Sequence, residues 1–288
     1  MTALSSYFYR RRWLKLLLAL APPLGWMVIV YLASLAVLLA TAFWQQDELS
    51  GKIIHTFTLD NFRELRSLDV NRTIILRTVA MAIAVTLVCS LLAFPLAYYM
   101  VRIASGRVRA LMVIGVLMPL WSSYLIKVYT WRLITANDGA LNWALGKFGI
   151  GPIDIAYSYL AMLIVYVYLW LPYMVLPVYA ALERIPGSLL EASSDLGGRG
   201  GMTFRKVILP LALPGVAAGS IFTFSLTLGD YIVPDLVGGG RQFIGNVIYV
   251  NQGVANNLPY AAAFTFVPIG IIVVYLALMS RTGAFEAL

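Results

Sequence analysis

The sequence has few of the side chains on which most enzymes depend. It contains one histidine, His55, and one cysteine, Cys89, in 288 residues. A single cysteine excludes an intrachain disulfide framework and a thiolate metal site. A single histidine gives little support to metal or acid–base chemistry based on imidazole. We therefore predict no catalytic residue and no metal ligand.

Motifs of nucleotide-binding and hydrolytic enzymes are also missing. No Gly-Lys-Ser or Gly-Lys-Thr occurs, so the chain does not bind ATP through a P-loop, and no HExxH, CxxC or nucleophile-elbow pattern is present. The glycine-rich run GGRGG at 197–201 lacks a preceding strand and a lysine, which favours a hinge over a phosphate cradle. We predict that the chain is not an enzyme and binds no cofactor itself.

Charge is scarce as well. Charged residues make up 12% of the chain, about half the fraction in a typical soluble domain, whereas apolar residues make up 61% and occur in long blocks. This composition predicts a protein embedded in membrane lipid. A net charge of +8 spread over a soluble surface would suggest a nucleic-acid partner. Most of the charges instead lie in the segments between apolar blocks, so no nucleic-acid partner is predicted.

The apolar blocks predict six membrane spans in one all-α domain over residues 1–288. The first block is longer than the apolar part of a signal peptide, so we interpret it as a retained span, kinked or begun near Pro22 and Pro23. An interfacial helix at 122–134 follows the third span, because Lys127 and Arg132 would be costly at mid-bilayer. The predicted spans are 16–43, 74–100, 111–121, 159–182, 211–234 and 260–280.

A polar insert at 45–72 separates the first two spans. Its sequence FTLDNFREL predicts a short amphipathic helix near the membrane surface, capped by Asp60 or Asn61. A second polar segment from Asp235 to Leu258 separates the last two spans and is predicted to be a loop.

Charge asymmetry predicts the orientation. Six spans place both termini on one side, together with the loops between spans two and three and between spans four and five. That side carries twelve of the 21 basic residues and four of the 13 acidic residues. By the positive-inside rule it is cytoplasmic. The basic residues are Arg10, Arg11, Arg12, Lys15, Arg102, Arg107, Arg109, Arg184, Arg199, Arg205, Lys206 and Arg281, and the acidic ones are Glu183, Glu191, Asp195 and Glu286.

A polar, glycine-rich loop at 183–210 interrupts the apolar pattern between the fourth and fifth spans. Ser188 and Glu191 have the spacing of a capping box, which predicts a short helix. Gly197 supplies a stop that needs no Cβ in a left-handed conformation. A second short helix is predicted, with Thr203 as its N-cap and Pro210 at its end.

This loop resembles the cytoplasmic coupling loop, or EAA loop, of ABC-importer permeases. Ser193 stands where a second alanine is usual, and GGRGG is richer in glycine than is typical. The resemblance implies the type I importer permease fold, a position in a bacterial inner membrane, and a loop that docks on an ATP-binding subunit. The residues that carry it are Glu191, Ala192, Gly197, Val207, Leu209 and Pro210.

The resemblance also implies the partners. It predicts a dimer of ATP-binding subunits that uses ATP and Mg, a second permease subunit that is not identical to this one, and an extracytoplasmic substrate-binding protein. The charge distribution places the coupling loop on the cytoplasmic side, in agreement with such a complex.

Candidate substrate contacts occur in the last part of the chain. Tyr166, Trp170 and Tyr173 follow helical spacing with Tyr159, and they either line a path for a cation or serve packing and the aromatic belt. Asp230, which Tyr231 follows, is the carboxylate that we place at membrane depth. It either contacts a cation, pairs with a basic residue of a partner subunit, or caps a neighbouring helix.

Three stretches resemble the spermidine/putrescine branch of these permeases: FTLDNF, VYTWRL with NDGALN, and LGDYIVPDLVGGG. The resemblance implies a small cationic amine as cargo. Iron, thiamine, phosphonate, sulfate and amino-acid derivatives stay open as other cargoes of ABC permeases. A secondary transporter driven by an ion gradient is a weaker alternative, since neither inverted repeats nor buried charge relays are visible.

Overall fold

The computed structural model describes residues 12–47 and 50–284, and it is predominantly helical. Five helical stretches in these ranges are long and apolar enough to cross a bilayer, and a sixth results if a helix pair bent by 99° is one span. The predicted all-α class is confirmed. Arg10, Arg11 and Glu286, which contribute to the predicted orientation, lie outside the described residues.

The first apolar block stands apart from the bundle. It comprises α1 (Arg12–Trp26), a π-helical segment (Met27–Leu32) and α2 (Ala33–Thr41). The helix passes through Pro22 and Pro23, and its departure from α geometry follows them at the π-helical segment. Few of the described apolar side chains of this helix are buried within the chain, so most of them face away from the bundle.

The polar insert contains a small ribbon that the sequence did not predict. Strand β1 (Gln45–Gln46) pairs antiparallel with β2 (Ile53–Ile54), and α3 (Asp60–Ser67) follows. The predicted cap of α3 was wrong, since Leu59 holds the cap position. The Asp60 carboxylate instead accepts hydrogen bonds from Thr58 and Arg63, which lower its pKa.

Three long helices form the core: α4 (Asp69–Arg102), α8 (Tyr159–Glu183) and α11 (Leu209–Gly229). The shorter helices that lie between them in the sequence are numbered in chain order and described below. Helix α11 approaches α8 closely because it carries glycine at the contact. A Cβ atom on Gly215 would lie 2.6 Å from the carbonyl oxygen of Pro177. Small residues at such a contact allow helix backbones to pack tightly inside a membrane.

The third apolar block is bent. It consists of α5 (Gly106–Leu117), a 3-10 turn (Met118–Trp121) and α6 (Tyr124–Ile134), and the two helical parts meet at 99°. The bend falls where the sequence predicts the end of the third span and the start of an interfacial helix. The next helix, α7 (Ala140–Lys147), was not predicted.

The fifth span was predicted to extend too far. It was placed at 211–234, but α11 ends at Gly229. Helix α12 (Ile232–Val237) follows after a break, and α13 (Ile244–Gly253) occupies part of the segment that was predicted to be a loop. Helix α14 (Leu258–Ser280) is the last long helix. Asp230 and Tyr231 therefore lie in a break between two helices.

Candidate functional site

The first half of the coupling loop is a helix with a glycine stop. Helix α9 (Gly187–Asp195) begins after Pro186. The predicted capping box was wrong, because Ser188 lies inside the helix and no side chain caps it. The predicted stop is confirmed: Gly197 has a φ of +77°, and the Gly198 N–H donates to the Ser193 carbonyl at 2.8 Å.

The second half is continuous with the fifth span. Helix α10 (Gly200–Thr203) and a π-helical segment (Phe204–Ile208) lead directly into α11. Thr203 is therefore not an N-cap, and Pro210 does not end the helix. Proline lacks an N–H donor, and the widened turn just before Pro210 is a place where the regular hydrogen-bond pattern is already broken. The second half of the coupling loop and the fifth span form one helix, Gly200–Gly229.

The two halves of the loop border an open apolar cavity of about 320 Å³, which we call the coupling-loop cavity. Leu196 lines it and is 89% exposed. The cavity lies between the two helices. Its lining residues are Leu189, Ala192, Ser193, Leu196, Gly198, Met202, Lys206 and Val207.

The predicted coupling residues differ in their placement. Ala192 and Val207 line the coupling-loop cavity. Glu191 is exposed on α9, and Leu209 and Pro210 are exposed at the start of α11. The structure thus brings Ala192 and Val207 together at one cavity. Glu191, Leu209 and Pro210 do not line this cavity.

Phe204 connects the loop to the core. Its ring meets the ring of Phe94 at 5.5 Å between centroids and that of Tyr98 at 6.5 Å, both edge-to-face. Phe94 and Tyr98 belong to α4, so the π-helical segment packs on a second long helix through aromatic contacts. Nothing in the motif itself predicted this contribution of Phe204.

Asp230 lies in the break after α11 and accepts hydrogen bonds from the backbone that follows it. Its Oδ1 accepts from the Ile232 N–H at 3.2 Å and its Oδ2 from the Val233 N–H at 3.1 Å. One alternative predicted for Asp230, capping of a neighbouring helix, is therefore present at α12. Aspartate competes well for free backbone N–H groups at a helix start, which explains why the chain does not continue as one helix.

Asp230 also bonds to a residue that the sequence reading missed. The Tyr124 hydroxyl donates to Asp230 Oδ1 at 2.7 Å, across 106 positions of sequence. Tyr124 stacks on Trp170 with 5.9 Å between ring centroids, and Trp170 meets Tyr173 at the same separation. An interfacial helix at 122–134 was predicted, but no local pattern indicates which residue Tyr124 contacts.

Two buried polar groups of α8 have no hydrogen-bond partner among the described residues: the Tyr166 hydroxyl and the Trp170 Nε1. Tyr166 is 0% exposed and Trp170 is 8% exposed. The Tyr166 hydroxyl is close enough to Asp230 to interact with its charge, although no hydrogen bond of normal geometry joins them. We call Asp230, Tyr124, Tyr166 and Trp170 the Asp230 cluster.

Two residues of the predicted aromatic set lie apart from this cluster. Tyr231 stacks on Tyr249 at 4.5 Å between centroids. Tyr159 is exposed, with the Arg241 guanidinium 4.8 Å from its ring centroid. Four predicted residues, Tyr166, Trp170, Tyr173 and Asp230, thus come together, whereas Tyr159 and Tyr231 make other contacts. No group of residues suited to a metal ion occurs within residues 12–47 and 50–284.

Comparison with known proteins identifies the family. The model of the binding-protein-dependent transport system inner membrane component matches residues 89–282. The inner membrane ABC transporter permease protein YdcU of Escherichia coli K12 is 49% identical over 297 residues, which cover 99% of this chain and 95% of that protein. The spermidine/putrescine transport system permease protein PotB of the same strain is 33% identical over 242 residues, covering 83% and 87%.

A solved structure has the same fold. A chain of the bacterial alginate ABC transporter, crystallised in complex with an alginate pentasaccharide-bound periplasmic protein, aligns with a TM-score of 0.75 and covers 96% of each chain. Its sequence identity is 16%, so the likeness concerns the fold alone. Taken with the family match over residues 89–282, the chain belongs to the binding-protein-dependent transport system inner membrane components and is an ABC-importer permease subunit.

Proposed function

We propose that this permease subunit forms the translocation path of an importer for a small cationic amine of the spermidine and putrescine class. The observation that carries this proposal is the similarity to PotB, a spermidine/putrescine permease, over 83% of the chain. The Asp230 cluster supports it, because a carboxylate beside aromatic rings suits an organic cation. YdcU, the more similar of the two relatives, has no cargo in its name.

The second part of the proposal is the coupling role of the loop. Glu191, Ala192, Gly197, Val207, Leu209 and Pro210 would contact a separate ATP-binding subunit, which uses ATP and Mg, while this chain binds no cofactor. The coupling-loop cavity and the exposed Leu196 support this role, since apolar surface in a polar loop is typical of a docking site.

The third part concerns the assembly. Two ATP-binding subunits, a second, non-identical permease subunit and an extracytoplasmic binding protein would complete the importer. Both termini and the coupling loop would be cytoplasmic, as the distribution of basic residues favours. The exposed apolar side chains of α1 and α2 leave a surface for lipid or for the second permease subunit.

Uptake measurements test the cargo. Cells that lack their own polyamine importers would receive the complete importer, and the entry of radiolabelled spermidine and putrescine would be compared with that in cells carrying an ATPase-inactive complex. We expect ATP-dependent uptake of at least one amine. Uptake of sulfate, thiamine or iron in place of both amines would refute the proposed cargo while leaving the ABC permease family unchanged.

A further inference from the structure

We propose that the Asp230 cluster binds one protonated amino group of the transported amine on its way through the permease. This inference rests on the proposed function, and it names the atoms that would contact the cargo. The ammonium group would lie against the Asp230 carboxylate and the Tyr166 hydroxyl oxygen, beside the stacked pair of Tyr124 and Trp170 rings.

The first argument is uncompensated charge. The Asp230 side chain is partly buried, and no Lys or Arg of the described ranges lies within 4.0 Å of its carboxylate. Its three hydrogen bonds come from neutral donors: Tyr124, Ile232 and Val233. A carboxylate removed from water is normally paired with a cation. A protonated amine supplies the charge that the surrounding residues do not.

The second argument is the pair of unpartnered polar groups. Buried hydroxyl and indole N–H groups nearly always have hydrogen-bond partners, yet Tyr166 Oη and Trp170 Nε1 have none in the described part of the chain. The Tyr166 oxygen is able to accept a hydrogen bond from an ammonium group, and its proton is available to Asp230. Trp170 Nε1 donates only, so it suits an oxygen in the hydration shell of the amine.

The third argument is the aromatic surface. The rings of Tyr124 and Trp170 are nearly parallel, with an interplanar angle of 13°, and Tyr173 meets Trp170 at 63°. Ring faces attract organic ammonium ions, and tryptophan attracts them best. A neutral solute would gain little from this combination, which makes the Asp230 cluster selective for charge.

The competing role of Asp230 is structural, since it caps α12. Asparagine separates the two roles, because it caps helices about as well as aspartate and its one oxygen can keep the acceptor position of Oδ1 toward Tyr124 and the Ile232 N–H. Asp230→Asn therefore removes the charge and only the Oδ2 bond to the Val233 N–H. Asp235→Asn is a matched control, since Asp235 is an exposed carboxylate on α12.

The experiment measures binding of radiolabelled putrescine to the complete importer in lipid nanodiscs, without the binding protein. We expect Asp230→Asn to weaken binding by about tenfold to a hundredfold, the effect of losing a charge-assisted hydrogen bond. Tyr166→Phe removes one polar atom, whereas Trp170→Phe removes the indole N–H and also shrinks the ring; each should weaken binding by about threefold to tenfold. Asp235→Asn should bind as the wild type does.

Equal putrescine affinity in the wild type and in Asp230→Asn would overturn the proposal, and so would an absence of binding to the wild type at millimolar putrescine. If Asp230→Asn does not assemble, Tyr166→Phe decides in its place: weaker binding supports the site, and unchanged binding refutes it. Cell uptake tests the proposed function separately. If the wild type and Asp230→Asn both take up amines, the binding site is refuted and the proposed function stands.

Discussion

The side-chain oxygens of Ser193 and Thr203 lie 2.9 Å apart and join the two short helices of the coupling loop. Ser193 occupies the position at which the EAA loop usually has a second alanine. The glycine run between the two helices would otherwise leave their relative position weakly defined. The serine at position 193 therefore adds a hydrogen bond between two helices that a flexible glycine run connects.

This link predicts matched effects for two substitutions. Ser193→Ala and Thr203→Val each remove one hydroxyl, and each should cost about 0.5–1.5 kcal/mol of loop stability, the usual net value of one hydrogen bond. Amide hydrogen exchange across 196–202 in the purified importer should accelerate to a similar degree in both. Because the hydroxyls act on each other, the double variant should be no worse than either single one. Strictly additive effects would show that the two hydroxyls act independently.

Substitution of Gly197 should strain the backbone without causing a steric clash. Its φ is +77°, and a Cβ atom there would meet nothing within 4 Å. Gly197→Val should thus cost about 1–2 kcal/mol through left-handed strain, and we expect a sharp loss of uptake with normal membrane insertion. Gly197→Asn is the control, since asparagine tolerates this conformation, and it should retain most uptake. Normal uptake by an inserted Gly197→Val protein would contradict the coupling role.

Substitution of Gly215, which lies in a regular helix, should cause a steric clash without straining the backbone. Its Cβ would collide with the Ala181 Cβ as well as with the Pro177 carbonyl oxygen, both on α8. Gly215→Ala should destabilise the core by about 1–3 kcal/mol through overpacking, despite the better helix propensity of alanine. Gly270→Ala is the control, because its Cβ would meet nothing within 4 Å. Thermal unfolding in detergent should separate the two variants, and equal melting temperatures would disprove the close contact.

Orientation is testable with single cysteines. Cys89 is buried, and its replacement by alanine gives a background for labelling. With a membrane-impermeant maleimide, Asp60→Cys should react in intact spheroplasts, whereas Arg199→Cys should react only after permeabilisation. Both positions are exposed on the surface of this subunit. Reaction of Arg199→Cys after permeabilisation is the control that a docked subunit does not shield it. The reverse pattern would refute the predicted topology.

The membrane spans were predictable because a helix that crosses a bilayer needs about 20 consecutive, mostly apolar residues, and such runs are visible in the sequence alone. Caps were predicted less well. Ser188, Thr203 and Asp60 each match a cap pattern, but all three lie inside helices, since residues outside the motif decide where a helix begins. The glycine stop at Gly197 was correct because its left-handed conformation is a local backbone property.

The Asp230 cluster shows what sequence reading leaves out. Tyr166, Trp170 and Asp230 were singled out as residue types, on helical spacing and expected depth. Tyr124 was not, because its bond to Asp230 depends on the 99° bend between α5 and α6. A bend of this kind follows from packing in three dimensions, and no pattern of period 3.6 encodes it.

The continuity of Gly200–Gly229 turns the coupling loop and the fifth span into one lever. Thirty residues extend over about 45 Å, with one end in the loop and the other beside Asp230. Gly215, locked against Pro177, lies midway and has the position of a fulcrum. A tilt of about 5° there would carry the two ends roughly 2 Å in opposite directions. Closure on the loop side and opening at the aspartate would then be one motion.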